Sequence, residues 1–204
     1  MTDQVSSVFL QDTHSGSEVA AQLIDGITEG HLDNVEEHWQ RARVEGLYRL
    51  KSEGVAPKDW PQSWHWHWRN KQQAVRGILA YRGFCIVCDD RVQGLMQVIT
   101  TLACRLPEQK GKPLVYVDYL ESAPWNQAGF AETPRFKGVG TVMLAAAVQL
   151  SRDEGFRGRL GLHSLPQSEP YYNRLGMESL GPDPDKQGLV YFEMTPQKAA
   201  EFYP

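Results

Sequence analysis

Apolar and polar residues change rhythm at Gly77. Before it, in LDNVEEHWQRARVEGLYRL, apolar side chains fall at Leu32, Val35, Trp39, Ala42, Leu47 and Leu50, with charges between them. That spacing is close to the helical period and predicts an amphipathic helix over 32–50. KSEGVAPKDWPQ follows as a linker, marked by its glycine and prolines, and 64–76 reads as a second helix. Val5 to Leu10 reads as a short first strand, with a polar connection beginning at Gly16. After Gly77, ILAYRGFCIVCDDRVQGLMQVITTL reads as two or three short strands turned at Asp89-Asp90, because aspartate tolerates turn geometry and β-branched and aromatic residues favour strands. PLVYVDYLES is the clearest strand. A long loop, an apolar helix from Thr141 to Leu150, the strand GRLGLHSL, a short helix near SEPYYNRLGM and a last strand around LVYFEM complete the order. The expectation is an α/β or α+β chain forming one domain over 1–204, with a mainly helical part over 1–76 and a sheet-bearing core over 77–204.

Composition narrows the function only slightly. A formal net charge of −4 predicts no nucleic-acid or anionic-membrane partner. No segment approaches the roughly 20 apolar residues of a membrane span, and MTDQVSSVFLQDTHSG lacks a basic region ahead of a long apolar one, so the expected compartment is the cytoplasm. Three cysteines suit reduced thiols. In Cys85-Ile-Val-Cys88 an offset of three on a strand sends the side chains to opposite faces, which favours buried apolar thiols over a redox pair. No second pair stands at ligand spacing, so no zinc is expected.

The candidate chemistry begins at RFKGVGTVML, Arg135 to Leu144, where two glycines flank Val139 ahead of the apolar helix. A helix start presents amides without intrahelical partners and a partial positive charge, which together suit a phosphate. Gly138 and Gly140 let the backbone approach an anion, and Arg135 and Lys137 add charge. A plain glycine turn before a buried helix is the competing reading of this segment alone. The mononucleotide loop fails because Lys137 precedes the glycines, and the dinucleotide fingerprint fails because Met143 stands where its third glycine belongs.

Arg135, Gly138 and Gly140 satisfy Arg-x-x-Gly-x-Gly, and YYNRLGM follows some thirty residues later. In this order, with strand, helix, strand and helix between them, the two segments resemble the GNAT superfamily of acyl-CoA-dependent N-acetyltransferases. The resemblance is strongest over Leu114 to Met177. It implies a mixed, mostly antiparallel central sheet flanked by helices and splayed at its fourth strand, here LVYVDYLES. It implies that acetyl-CoA is the acyl donor, its pyrophosphate on the amides of Phe136, Lys137, Gly138, Val139, Gly140 and Thr141 beside Arg135, and its pantetheine arm along the opened strand. It further implies Tyr172 as the acid that protonates the leaving thiolate, and an oxyanion contact from the backbone near Ser122.

For a base, Asp118 and Glu121 lie three apart on one strand, so only one views the cleft, and Glu121, nearer the splay, is the choice. A solvated strand-end carboxylate is its bland alternative. ESAPWNQAGFAETP spends fourteen residues where the family uses about half as many, and Trp125 and Asn126 are candidates for walling an acceptor pocket. The family's asparagine before the tyrosine helix is replaced by Leu165. In WHWHW, His65 and His67 do not share a helix face, whereas Trp64 and Trp68, four apart, are expected to pack one face on the sheet; the alternative makes the segment part of the acceptor site. The leading expectation is acetyl transfer to an unidentified primary amine by direct attack on the thioester, without a metal, in a chain for which a homodimer is compatible. The competing expectation is a GNAT-like module that binds acyl-CoA as a sensor or docking protein without turnover.

Overall fold

Over the residues that the structure, a computed structural model, describes (4–204), the chain opens with a hairpin. β1 (Gln4–Asp12) and β2 (Glu18–Asp25) pair antiparallel, from Gln4 opposite Asp25 to Gln11 opposite Glu18. The predicted polar connection is therefore a strand, and the part before residue 77 is not mainly helical at its start. Glu18, Ala20 and Gln22 alternate on an exposed face, opposite buried Ala21 and half-buried Val19 and Leu23, a period of two hidden by the polar residues.

α1 (Glu29–Ser52) is the predicted amphipathic helix, longer at both ends. Thr28 caps it: its hydroxyl accepts from the His31 amide, and the His31 ring accepts from the Thr28 amide, both at 3.2 Å. Its buried stripe is Leu32, Val35, Trp39, Arg43, Gly46 and Leu50, so an arginine and a glycine hold two core positions. α2 is only Trp68–Ala74. Residues 61–67 form turns instead, which leaves Trp64 exposed and Trp68 buried; the two tryptophans do not share a packed helix face.

β3 (Tyr81–Cys88) and β4 (Arg91–Ala103) are two long strands around Asp89 and Asp90, both in the left-handed region with φ of 52° and 55°, as a two-residue hairpin turn requires. Asn34 ties α1 to this hairpin, donating to Asp90 O at 3.0 Å and accepting from Val92 N at 2.9 Å. β5 (Pro113–Ser122), β6 (Phe136–Lys137), α3 (Val139–Asp153), β7 (Leu160–Ser164), α4 (Glu169–Arg174), β8 (Glu178–Asp183), β9 (Leu189–Met194) and α5 (Pro196–Phe202) follow. The strand order is β6-β1-β2-β3-β4-β5-β7-β9-β8, mixed and mostly antiparallel. LVYVDYLES is thus the fifth strand of the chain, because the β1–β2 hairpin adds one ahead of it. Cys85, Cys88 and Cys104 are buried free thiols, and burial alone pushes Cys85 up to about 12.

The chain divides into two compact units, one made of residues up to Met96 with Leu120–Met143, the other of Gln97–Tyr119 with Leu144–Pro204. In the first, Glu121 at the end of β5 is 3% exposed. Its Oε1 accepts from Arg43 Nη2 at 2.8 Å and its Oε2 from the Trp68 indole at 2.7 Å. Arg43 also donates to Trp66 O at 2.7 Å. A core position of α1 is therefore charged because it faces a buried carboxylate.

In the second unit, β5 and β7 pair in parallel through Val115–Leu160, Tyr116–Gly161 and Val117–Leu162. Glu193 is fully buried and accepts from Arg105 N, Leu106 N, the Gln109 amide and the Tyr191 hydroxyl at 2.6–3.2 Å, which pins the β4–β5 connection. On β7, His163 Nδ1 meets the Tyr116 hydroxyl at 2.7 Å and Nε2 meets Asp183 Oδ2 at 2.9 Å. A neutral ring carrying its proton on Nε2 satisfies both contacts. Arg105, 2.5 Å from Asp183, and His163 hold that carboxyl down at about 2, while burial pulls His163 below its ordinary value.

Two outcomes follow from these buried groups. Arg43→Met strands Glu121 and is expected to lower stability by about 3–5 kcal/mol in urea unfolding, whereas Arg43→Met with Glu121→Leu recovers most of it; a double variant as unstable as the single one would show that the ion pair is not the source. The unfolded chain takes up protons at His163 and Asp183 before the folded one does, so stability falls with pH, first below about 6.5 and again below about 4. Calorimetric Tm values should show that His163→Gln flattens the slope between about pH 7 and about pH 5.

Candidate functional site

The first element of the site is the turn into α3. β6 is two residues long and exists because β1 pairs with it, Gln11 opposite Lys137 and Asp12 opposite Phe136. Gly138 follows with φ of 96°, a conformation open to glycine, and α3 starts at Val139. The first intrahelical bond runs from Val142 N to Gly138 O at 2.9 Å, so the amides of Val139 and Gly140 precede the helix's own ladder. Val139 is buried and fixes this start: a Cβ on Gly94 of β4 would stand 2.5 Å from its Cγ1. Gly138 and Lys137 are exposed.

The expected cradle is shorter than the sequence suggests. Phe136 N donates to Asn126 Oδ1 at 2.9 Å, and Arg135 N to Trp125 O at 2.8 Å. The amide of Phe136 is therefore committed within the protein and Lys137 is paired with Gln11 of β1, so the helix-start amides lie beyond both. The Arg135 side chain pairs with Asp12 at 3.1 Å and lies over the Phe136 ring at 5.1 Å, serving the β1 end instead of the helix start.

The second element is the parting of two strands. Beyond Val117 and Leu162 no further β5–β7 pairs occur among the described residues, although β5 runs on to Ser122 and β7 to Ser164. This is the opened strand edge that the resemblance implies for LVYVDYLES. At its end, Ala123 N donates to Gln93 O at 2.9 Å and Ser122 O accepts from the Gln127 amide at 2.6 Å.

Tyr172, in the second unit, is 8% exposed and packs between Tyr171 and Phe192, with ring centroids 5.4 and 5.7 Å away. Burial raises its phenol above the ordinary value. It therefore stays protonated as a donor, and its hydroxyl has no hydrogen-bond partner among the described residues. Glu121 lies in the first unit with both oxygens engaged; burial pushes its carboxyl upward while Arg43, Ser63 and Trp68 oppose that. The structure thus sets Glu121 in the interior, as the buried partner of Arg43 and Trp68.

Gln93, not singled out from sequence, organises the long loop. It is 2% exposed, and its Oε1 accepts from the Trp125 indole at 2.8 Å and from the Asn126 amide at 3.0 Å. Its own amide donates to Cys88 O at 3.0 Å. Gln93 is one of two buried glutamines, with Gln97, inside the run VQGLMQVI of β4, and a glutamine among such apolar neighbours is the signal the sequence carries. Asn126 thereby acts as a latch between β4 and Phe136. Trp125 instead lines a groove of about 820 Å³ in the first unit, together with Arg91, Gln93, Arg135 and Phe136.

No protein-family model and no curated protein matches the chain. Solved structures do. The PaiA N-acetyltransferase from Thermoplasma acidophilum, solved in complex with coenzyme A, is similar at a TM-score of 0.53 and 11% identity, over 86% of this chain and 98% of that one. The GNAT domain of S. lividans PAT is similar at a TM-score of 0.55 and 12% identity, over 93% and 96% of the two chains. Likeness of that extent at such identities is likeness of architecture, and with the glycine turn into α3 and the parted β5 and β7 it shows that the chain has the fold of the GNAT superfamily.

Proposed function

We propose that the protein is an acyl-CoA-dependent N-acetyltransferase acting on a primary amine. The parting of β5 and β7 after three parallel pairs is the observation that carries this reading, since an extended arm can add to a strand edge of that kind. Acetyl-CoA supplies an activated acyl group as a thioester. The amides at Val139 and Gly140, at a helix start behind an exposed positive-φ glycine, suit its pyrophosphate, and the neighbouring solved structure in complex with coenzyme A supports the same donor. Lys137 is exposed beside them.

Tyr172 is the proton donor in this reading. A buried neutral phenol whose hydroxyl is uncommitted can pass its proton to a departing thiolate. Ser122, at the end of β5, retains the oxyanion role. Glu121 is assigned no base role, and the amine releases its proton to water. A binding-only module draws support from one observation, the engagement of Glu121 by Arg43 and Trp68.

Calorimetric titration with acetyl-CoA tests the donor. Binding is expected, and Gly140→Glu should weaken it at least about a hundredfold while leaving Tm nearly unchanged, because a carboxylate suits a first helical turn but repels a phosphate. Absence of heat with the unaltered protein would overturn the reading. Tyr172→Phe is expected to lower thiol release with an accepted amine by about a hundredfold or more without weakening acetyl-CoA binding. If the unaltered protein binds acetyl-CoA and releases no thiol with any of a broad set of amines, the binding-only role takes its place.

A further inference from the structure

The groove in the first unit is chemically uneven. Of its guanidinium groups, Arg41 pairs with Glu45 at 3.0 Å and Arg135 with Asp12 at 3.1 Å. Arg91 has no ion-pair partner among the described residues and lies over the Trp125 ring at 5.9 Å. That contact holds the guanidinium against an aromatic face while its N–H donors remain available. Asp89, in the hairpin turn, and Arg91, the first residue of β4, both line the groove. Asp89 too has no ion-pair partner among the described residues. The floor, Gln93, is spent on Trp125 and Asn126, and Trp125 and Phe136 supply aromatic walls.

An unpaired cation, an unpaired carboxylate and aromatic walls in about 820 Å³ complement a small molecule that carries both charges and an apolar body. We infer that this groove is a binding site for an aromatic α-amino acid, with Arg91 taking the carboxylate, Asp89 complementing the ammonium, and Trp125 and Phe136 flanking the side chain. Given the acyltransferase reading, on which this extension rests, such an amino acid is the acceptor. Arg91 is then the residue that distinguishes it from amines without a carboxylate, because a guanidinium meets a carboxylate through two parallel N–H bonds.

Calorimetry with L-phenylalanine and L-phenylalaninamide, at a pH where both amines are protonated, tests this, since the two then differ in charge only at the carboxylate. L-Phenylalanine should bind about tenfold tighter or more, and Arg91→Ala and Arg91→Gln should both erase the preference while leaving acetyl-CoA binding unchanged. Equal binding of the two probes, no binding of L-phenylalanine, or a preference that survives both Arg91 variants overturns the inference. Acetyl-CoA titrated alone separates the two claims: heat with acetyl-CoA and none with L-phenylalanine defeats the groove and leaves the acyltransferase reading. The reverse result defeats that reading and leaves the groove as an amino-acid site.

Discussion

A carboxylate buried at the end of β5 sets the terms for the first unit. Removing Glu121 from water costs several kcal/mol unless opposite charge and hydrogen bonds are returned, and the donors come from α1, from Ser63 and from the start of α2. Three segments far apart in sequence are drawn to one point. The same requirement explains an arginine on the buried stripe of a helix, and it explains why the last tryptophan of WHWHW is buried while the first is exposed. With the end of β5 anchored, the residues that follow it are placed as well: Ala123 bonds Gln93, Asn126 is held by Gln93, and Asn126 holds Phe136 just before the glycine that opens α3. Polar contacts thus run from α1 to the amides proposed to take a pyrophosphate.

The second unit meets a different constraint. Parallel strands need every backbone group satisfied in register, yet β5 and β7 share only three pairs before separating. A strand edge in that state invites an added strand or an extended ligand. Beside it, the polar line from Tyr116 through His163 to Asp183 is satisfied internally at both ring nitrogens. That gives it the character of a scaffold: neutral histidine, charged aspartate and arginine are arranged so that the proton already has one preferred position.

Sequence periodicity was a good guide where one face of an element is uniformly buried. The 32–50 helix, the Asp89-Asp90 turn and the apolar helix after Gly140 all follow from local chemistry and all occur. It failed where tertiary pairing makes the element. β6 is two residues that only β1 turns into a strand, and β2 carries polar residues on its open face. β8 and α5 were also invisible, the first because its residues are nearly all exposed or half-buried and include Gly181 and Pro182, the second because it is a short turn of helix begun by Thr195 and Pro196. Glu121 stands nearer the splay than Asp118 along the strand, but distance along a strand says nothing of what stands opposite. The deciding residue, Arg43, lies 78 positions away, and a charged residue on an amphipathic helix reads as solvent-facing until its partner is known.

The fourteen-residue segment before Arg135 divides its labour in a way that bears on the acceptor. Lengthening a loop twofold adds only about 0.6 kcal/mol of closure entropy, so modest packing is enough to order it. Phe130 supplies that packing: it is 5% exposed and lies so close to α1 that a Cβ on Gly46 would stand 3.0 Å from its ring. Asn126 is consumed in joining β4 to Phe136, whereas Trp125, one residue earlier, turns a face to the groove beneath Arg91. Neighbouring residues in one loop therefore serve opposite ends, one fixing the backbone that leads to the helix start and the other shaping a surface for a second molecule. A change in loop length that kept the Asn126 contact would leave the helix start in place and alter the groove alone, so the two ends of this loop can vary independently.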